Sequence, residues 1–173
     1  SMTIQKYFRQ MADKGCQIVV MEVSSQGLML NRTAGIPFEL GIFTNIEPDH
    51  IGPAEHASFE DYVACKSLLF RQCKVGIMNA DDPHLADILK GHTCEVETFG
   101  LSEKADLRAE NLELVSRPGY LGIRYAVTGK MHFNVEVDIP GKFSVYNSLT
   151  AIAICRHFKV EPEQIVEALK NKF

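Results

Sequence analysis

Five short stretches contain residues that could do chemistry. Glu22 interrupts the apolar run Ile18-Val19-Val20-Met21-Glu22-Val23 and is followed by Ser24-Ser25. A carboxylate in such a run needs a cation or hydrogen bonds to offset its desolvation; alternatively it is a cap satisfied by backbone amides. Asp49-His50 forms a second stretch. Histidine is a common metal ligand and carboxylates suit magnesium, although the same dipeptide also fits a plain turn. Lys66 is the third, as the one charge in the stripe Phe59, Tyr62, Val63, Lys66, Leu69, Phe70 and Cys73. Apolar neighbours disfavour the ammonium, and a neutral lysine is a nucleophile. Such an amine can also add carbon dioxide and become a carbamate, an anionic oxygen ligand. The competing reading is a lysine whose stem covers the apolar face while its head reaches water. Asn79-Ala80-Asp81-Asp82 can contact a nucleotide or cap the next helix. In Pro140-Gly141-Lys142-Phe143-Ser144-Val145-Tyr146-Asn147, the glycine allows close backbone approach and the Asn147 amide can read an adenine edge; a turn leading into a helix explains it equally.

These residues need elements to hold them. Ile4, Tyr7, Phe8 and Met11 recur at helical spacing, and Gly15 can close that helix. Ile18–Val23, Gly41–Thr44 and Val75–Met78 read as buried parallel strands. Ser58 and Asp61 form a capping pair for the helix that bears Lys66. Asp82-Pro83 is expected to open another helix running to Gly91, and Cys94–Phe99 to be a further strand. Strands alternating with helices imply βαβ units. Glu22 and His50 then fall near the carboxyl ends of strands, where open sheets bind ligands. From Leu107 the pattern changes. Leu107–Val115, Tyr120–Val127 and His132–Ile139 are strand-like and are separated by Pro118-Gly119 and Thr128-Gly129-Lys130. Helices are expected over Val145–Phe158 and Pro162–Lys170. The fold class is therefore α/β: an open, mostly parallel sheet flanked by helices, with a small antiparallel β-meander beside it.

Bulk properties exclude several classes. The 173 residues suffice for one domain with a real core. A net charge of -4 gives no electrostatic reason to expect nucleic acid or an anionic membrane as partner. No apolar run approaches the roughly 20 residues needed to span a bilayer. The five cysteines are odd in number and contain no C-x-x-C pair, so they read as small buried hydrophobes in a reducing compartment. A cytoplasmic location is expected. Ser1-Met2 reads as a vector scar.

Taken in order, Met21-Glu22-Val23-Ser24-Ser25, Phe43-Thr44-Asn45, Asp49-His50, Lys66, Asn79-Ala80-Asp81-Asp82 and Pro140-Gly141 to Tyr146-Asn147 resemble the central domain of the Mur ligases. The likeness runs from Thr3 to Phe173, and it is greatest to the members that add the third peptide residue in peptidoglycan synthesis. That resemblance implies an ATP-dependent, magnesium-dependent ligase that activates a carboxylate as an acyl phosphate and passes it to an amine. It implies Glu22 as a magnesium ligand, His50 as a ligand of a second magnesium, and Lys66 as a carbamylated lysine whose carbamate supports that second metal. Ser24 and Arg32 would hold a UDP-muramoyl-dipeptide, to which a free amino acid is joined. Asn147 would contact adenine, with Asn79 and Asp82 also on the nucleotide.

Some positions depart from the family pattern. Gln26 stands where histidine is common, Leu30 where a substrate-binding glutamine is common, and the loop from Asp49 to Lys66 is slightly longer. No G-x-x-x-x-G-K-[ST] phosphate loop occurs in the sequence. Residues 3–173 are accordingly expected to be a truncated central domain, inactive alone and partnered by missing domains of the same chain. Two other readings remain: a folylpolyglutamate synthetase-like ligase, and a noncatalytic binding domain.

Overall fold

The computed structural model describes residues 2–49, 51–53 and 55–170. Its centre is one continuous six-stranded sheet in the order β1-β2-β3-β4-β5-β6: Phe38–Phe43, Cys73–Asn79, Glu95–Gly100, Leu107–Arg117, Tyr120–Gly129 and Phe133–Val137. The first three strands pair in parallel, with Gly41 opposite Gly76 and Gly76 opposite Val96. The last three form an antiparallel meander. The meander does not stand beside the parallel sheet, as expected, but extends it. Phe99 and Gly100 of β3 pair in parallel with Leu107 and Arg108 of β4. Asp106 secures this junction. Its carboxylate accepts from Thr98 N at 2.9 Å, and Thr98 Oγ1 in turn accepts from Asp106 N at 3.0 Å.

Alternation along the strands gives the sheet two apolar faces, because successive side chains point opposite ways. Ile77, Phe99, Leu107, Tyr125, Val127 and Val135 face one side, against α5 (Lys142–His157) and α6 (Pro162–Lys170). Phe43, Cys73 and Met78 face the other, against α3 (Phe59–Ser67) and α4 (Leu85–Ile88). On that second side Gly41 and Gly76 let the helical layer approach. A Cβ on Gly76 would lie 2.5 Å from Met78 Cε and 3.2 Å from Phe70 Cδ1. On the first side the Tyr125 hydroxyl meets Ser148 Oγ at 2.6 Å, and Ser148 donates to Ser144 O. That bond ties α5 to the meander through an otherwise apolar layer.

Four sequence expectations change. Ile18–Val23 is not a strand: residues 16–24 carry no regular structure, and Val20 is 94% exposed. The run has strand-forming residues but no paired strand among the described residues, and a strand exists only by pairing. The Lys66 helix ends at Ser67 and tightens into a 3₁₀ turn, Leu68–Arg71, so Cys73 opens β2 and does not extend the helical stripe. The helix expected from Asp82 is a single turn starting at Leu85; one Asp82 oxygen accepts from His84 N and the other from Ile46 N in the loop after β1. Finally, Cys65, Cys73 and Cys94 are buried as expected, whereas Cys16 is exposed. The first helix, α1, spans Met2–Asp13, and Gly15 follows it at φ 76°. A five-residue helix, α2 (Ser25–Met29), follows the irregular segment. Among the described residues, no helix is long and apolar enough to cross a membrane.

Candidate active site

The carboxyl end of β1 opens into a small cleft of about 90 Å³ lined by Val23, Thr44, Asn45, Ile46 and Lys66, among others. Lys66 reaches it from the second turn of α3. Apolar neighbours on α3 and the 3₁₀ turn leave its side chain half-buried, with Nζ 5.7 Å from the centre of the Tyr62 ring. Burial pushes the amine below the usual lysine range, and the nearby Glu22 carboxylate opposes part of that shift. The charge interaction places Glu22 and Lys66 in one electrostatic neighbourhood although the two are far apart in sequence. Asp49 belongs to the same neighbourhood. Burial raises the Tyr62 phenol, and the charge of Asp49 raises it further. His50 lies outside the described residues.

Ser24 caps α2. Its Oγ accepts from Gly27 N at 3.0 Å, and its backbone is extended at φ -74° and ψ 150°. Arg32 follows in the turn after α2 and is exposed. Thr33 anchors that turn to the end of the 3₁₀ element by donating to Gln72 Oε1 at 3.1 Å.

The Asn79-Ala80-Asp81-Asp82 stretch forms a set of internal ties at the carboxyl ends of β1, β2 and β3. Asn79 Nδ2 donates to Thr44 O at 2.8 Å, and Asp82 Oδ2 accepts from Ile46 N at 3.1 Å. These two bonds hold the loop after β1 in place. Asp81 takes the larger share. It accepts from Leu101 N, from Ser102 N at 3.2 Å and from the Tyr146 hydroxyl at 2.8 Å. Burial alone would raise the Asp81 carboxyl, but these donors outweigh it and hold the group below its ordinary value. Tyr146 is pushed up to about 12, by burial first and by Asp81 second. The Tyr146 bond fixes the start of α5 over the sheet, with Asn147 exposed on the next position. Gly141, at φ 99°, precedes the helix. Asn147 therefore sits on the same rim as the Asp81 hub.

Sequence reasoning missed His56. Its side chain is fully buried, with Nε2 2.8 Å from Ser25 Oγ and Nδ1 3.2 Å from Asp61 Oδ2. Ser58 caps α3 as expected, accepting from Asp61 N at 3.2 Å. The Asp61 carboxylate, however, turns toward His56 and Ala57 N and does not complete a reciprocal box. A histidine in a loop five residues before an aspartate in the first turn of a helix was the available signal. Donor atoms of His56, Asp61 and Cys65 lie within 4.8 Å of one another. Burial, and then the charge of Asp61, raises the Cys65 thiol, which works against the thiolate a soft metal requires.

The helix-flanked parallel sheet with polar groups gathered beyond β1 and β2 is the arrangement of an α/β ligand-binding domain, whose site lies past the strand ends. Residues 1–155 match the Mur ligase middle domain, and the chain belongs to that family. Over 171 residues it is 39% identical to UDP-N-acetylmuramoyl-L-alanyl-D-glutamate--2,6-diaminopimelate ligase 1 of Clostridium acetobutylicum, covering 99% of this chain and 34% of that protein. It is 37% identical over 180 residues to the ligase of that name from Bacillus licheniformis, covering 99% and 36%. The chain thus spans about a third of the length of these curated relatives. Among solved structures, a UDP-N-acetylmuramoyl-L-alanyl-D-glutamate--2,6-diaminopimelate ligase superposes with a TM-score of 0.84 at 23% identity, covering 96% of this chain and 35% of that one. MurF from Acinetobacter baumannii superposes with a TM-score of 0.67 at 21% identity, covering 80% and 30%. These superpositions establish a shared fold. The comparisons do not favour the folylpolyglutamate synthetase-like reading.

Proposed function

We propose that this domain forms the central part of a cytoplasmic ATP-dependent ligase that joins a free amino acid to UDP-N-acetylmuramoyl-L-alanyl-D-glutamate. The observation that carries the reading is the half-buried Lys66 amine that lines the β1 cleft and feels the charge of Glu22. A lysine with a lowered proton affinity exposes its lone pair to carbon dioxide; N–C bond formation with loss of a proton gives a carbamate. That change turns a cation beside Glu22 into an anion, and the pair becomes an oxygen-rich donor set suited to magnesium. Glu22, the Lys66 carbamate and His50 would hold two magnesium ions, which would supply neutralisation of charge on phosphate and acyl oxygens. Tyr62 supports the Lys66 side chain from below. Ser24, at the start of α2, and the exposed Arg32 in the turn after it would position the muramoyl dipeptide. Asn147 would read the adenine edge, with Asn79 and Asp82 shaping the adjoining loop.

The test is phosphate release from ATP by the intact protein that contains this domain. Release is expected only when UDP-N-acetylmuramoyl-L-alanyl-D-glutamate and an amino acid are both present. Because the curated relatives are named for 2,6-diaminopimelate, that amine is the first to supply. Absence of release with any amine, in protein that binds ATP, refutes the reading.

A further inference from the structure

Glu22 is carried by an irregular segment and Lys66 by a helix, so something must set the distance between them. We propose that His56 is the positioning residue that does so, by joining the start of α2 to the first turn of α3. This rests on the functional reading above.

The imidazole is 0% exposed and touches three groups. Ser25 Oγ lies 2.8 Å from Nε2, the Asp61 carboxylate 3.2 Å from Nδ1, and the Tyr62 ring centre 5.2 Å from its own. A carboxylate only accepts, so Nδ1 carries the proton toward Asp61; Nε2 then accepts from the Ser25 hydroxyl. Every polar atom of the ring is used, as burial requires. The chain of contacts has a direction. Ser25 adjoins Ser24 and lies three positions after Glu22. Asp61 and Tyr62 lie on the helix that carries Lys66, and Lys66 Nζ rests over the Tyr62 ring. His56 thus connects the metal-binding side of the site to its lysine side without touching the reacting groups.

Ser25, His56 and Asp61 have the composition of a hydrolytic triad, but Ser25 is only 5% exposed and its hydroxyl is committed to the imidazole. A nucleophile must reach its substrate. The trio therefore acts as a strut. The loop supports it from behind: Gly52 N donates to His56 O at 3.1 Å.

The test compares His56→Gln, Ser25→Ala and the double variant in the intact protein. Ser25→Ala removes one end of the strut by deleting a single oxygen, so it guards against simple misfolding. Ligation should fall about 10- to 100-fold in kcat, as for other groups that orient ligands from behind, with KM for ATP changed less than about twofold. The double variant should be no slower than His56→Gln, because both changes cut one connection. A second readout does not need the reaction: labelling of the Lys66 amine by acetic anhydride across pH, read by peptide mass spectrometry. In the unaltered protein the midpoint should lie below the usual lysine value; in either variant it should rise toward that value as the amine gains water. If the unaltered protein fails to ligate, the functional reading fails alone and labelling decides the strut. An unmoved Lys66 midpoint in folded Ser25→Ala and His56→Gln proteins overturns the proposal, as does kcat that falls only in step with melting temperature.

Discussion

Burial lowers the Lys66 amine and Glu22 restores only part of the loss, so this residue is held in an environment that works against its ordinary charge. Asp81 shows the opposite balance: burial raises it, and donors from Leu101, Tyr146 and Ser102 more than compensate. Because its folded-state pKa lies below the unfolded one, its stabilising effect is complete above the unfolded value of 3.8 and is lost as pH falls through the folded value. Asp81→Asn should therefore cost about 1–3 kcal/mol at pH 7, the range for hydrogen bonds to a charged group. Urea unfolding at pH 7 and at pH 3 checks the sign: the gap between the two proteins should narrow at pH 3. A gap that widens in acid contradicts the assignment. The motif around Asp81 was visible in the sequence, but not that Asp81 would be its centre. Adjacent carboxylates look alike until the chain turns place one against β3 and α5 and the other against the loop after β1.

At the scale of elements, Gly129 is the most constrained position in the sheet. It has φ 88°, and a Cβ there would lie 2.2 Å from Asp106 O, a backbone atom that cannot move aside. Gly129→Ala should destabilise the domain by at least about 1–3 kcal/mol, through overpacking and left-handed strain together, and loosen the β4–β5 pairing. A melting temperature within a degree of the unaltered protein rejects this. Much of this architecture was legible beforehand. Val75–Met78 is buried in the way its apolar run suggests, and the three meander strands form where expected with Gly129 at a turn, although Leu112 and Leu114 in the distal half of β4 are exposed. What could not be read was pairing. Ile18–Val23 has the composition of a buried strand, yet nothing in six residues states whether a neighbour will hydrogen-bond to it. The helix expected from Asp82 shrinks to one turn, Leu85–Ile88, although one Asp82 oxygen accepts from His84 N; the other takes Ile46 N, a partner distant in sequence. His56 was hidden in the same way, since its partners Ser25 and Asp61 converge only after folding.

The whole molecule is a sheet whose parallel part is covered on both faces, with one irregular approach to its site. β2 is paired along both edges, by β1 and β3, whereas residues 16–24 have no ladder among the described residues and expose Ile18 and Val20. In this chain, amide exchange across Cys16–Val23 should be orders of magnitude faster than in Val75–Met78, because local stability follows hydrogen bonding and packing. Equal protection in a hydrogen-exchange experiment contradicts this description of the segment. The strut through His56 then matters at this scale too, as a fixed link from an otherwise loosely held segment to the layered core. The central claim, that Lys66 serves as a carbamate beside Glu22, is tested most directly by ligation in the intact protein with Lys66→Ala, at saturating ATP and magnesium. The account predicts a loss of at least about a hundredfold, the scale for removing a preorganised electrostatic group, and partial recovery on adding formate or acetate to replace the missing carboxylate. Near-normal ligation by the variant, with no response to added carboxylate, contradicts it and returns Lys66 to the role of a lysine that covers an apolar face.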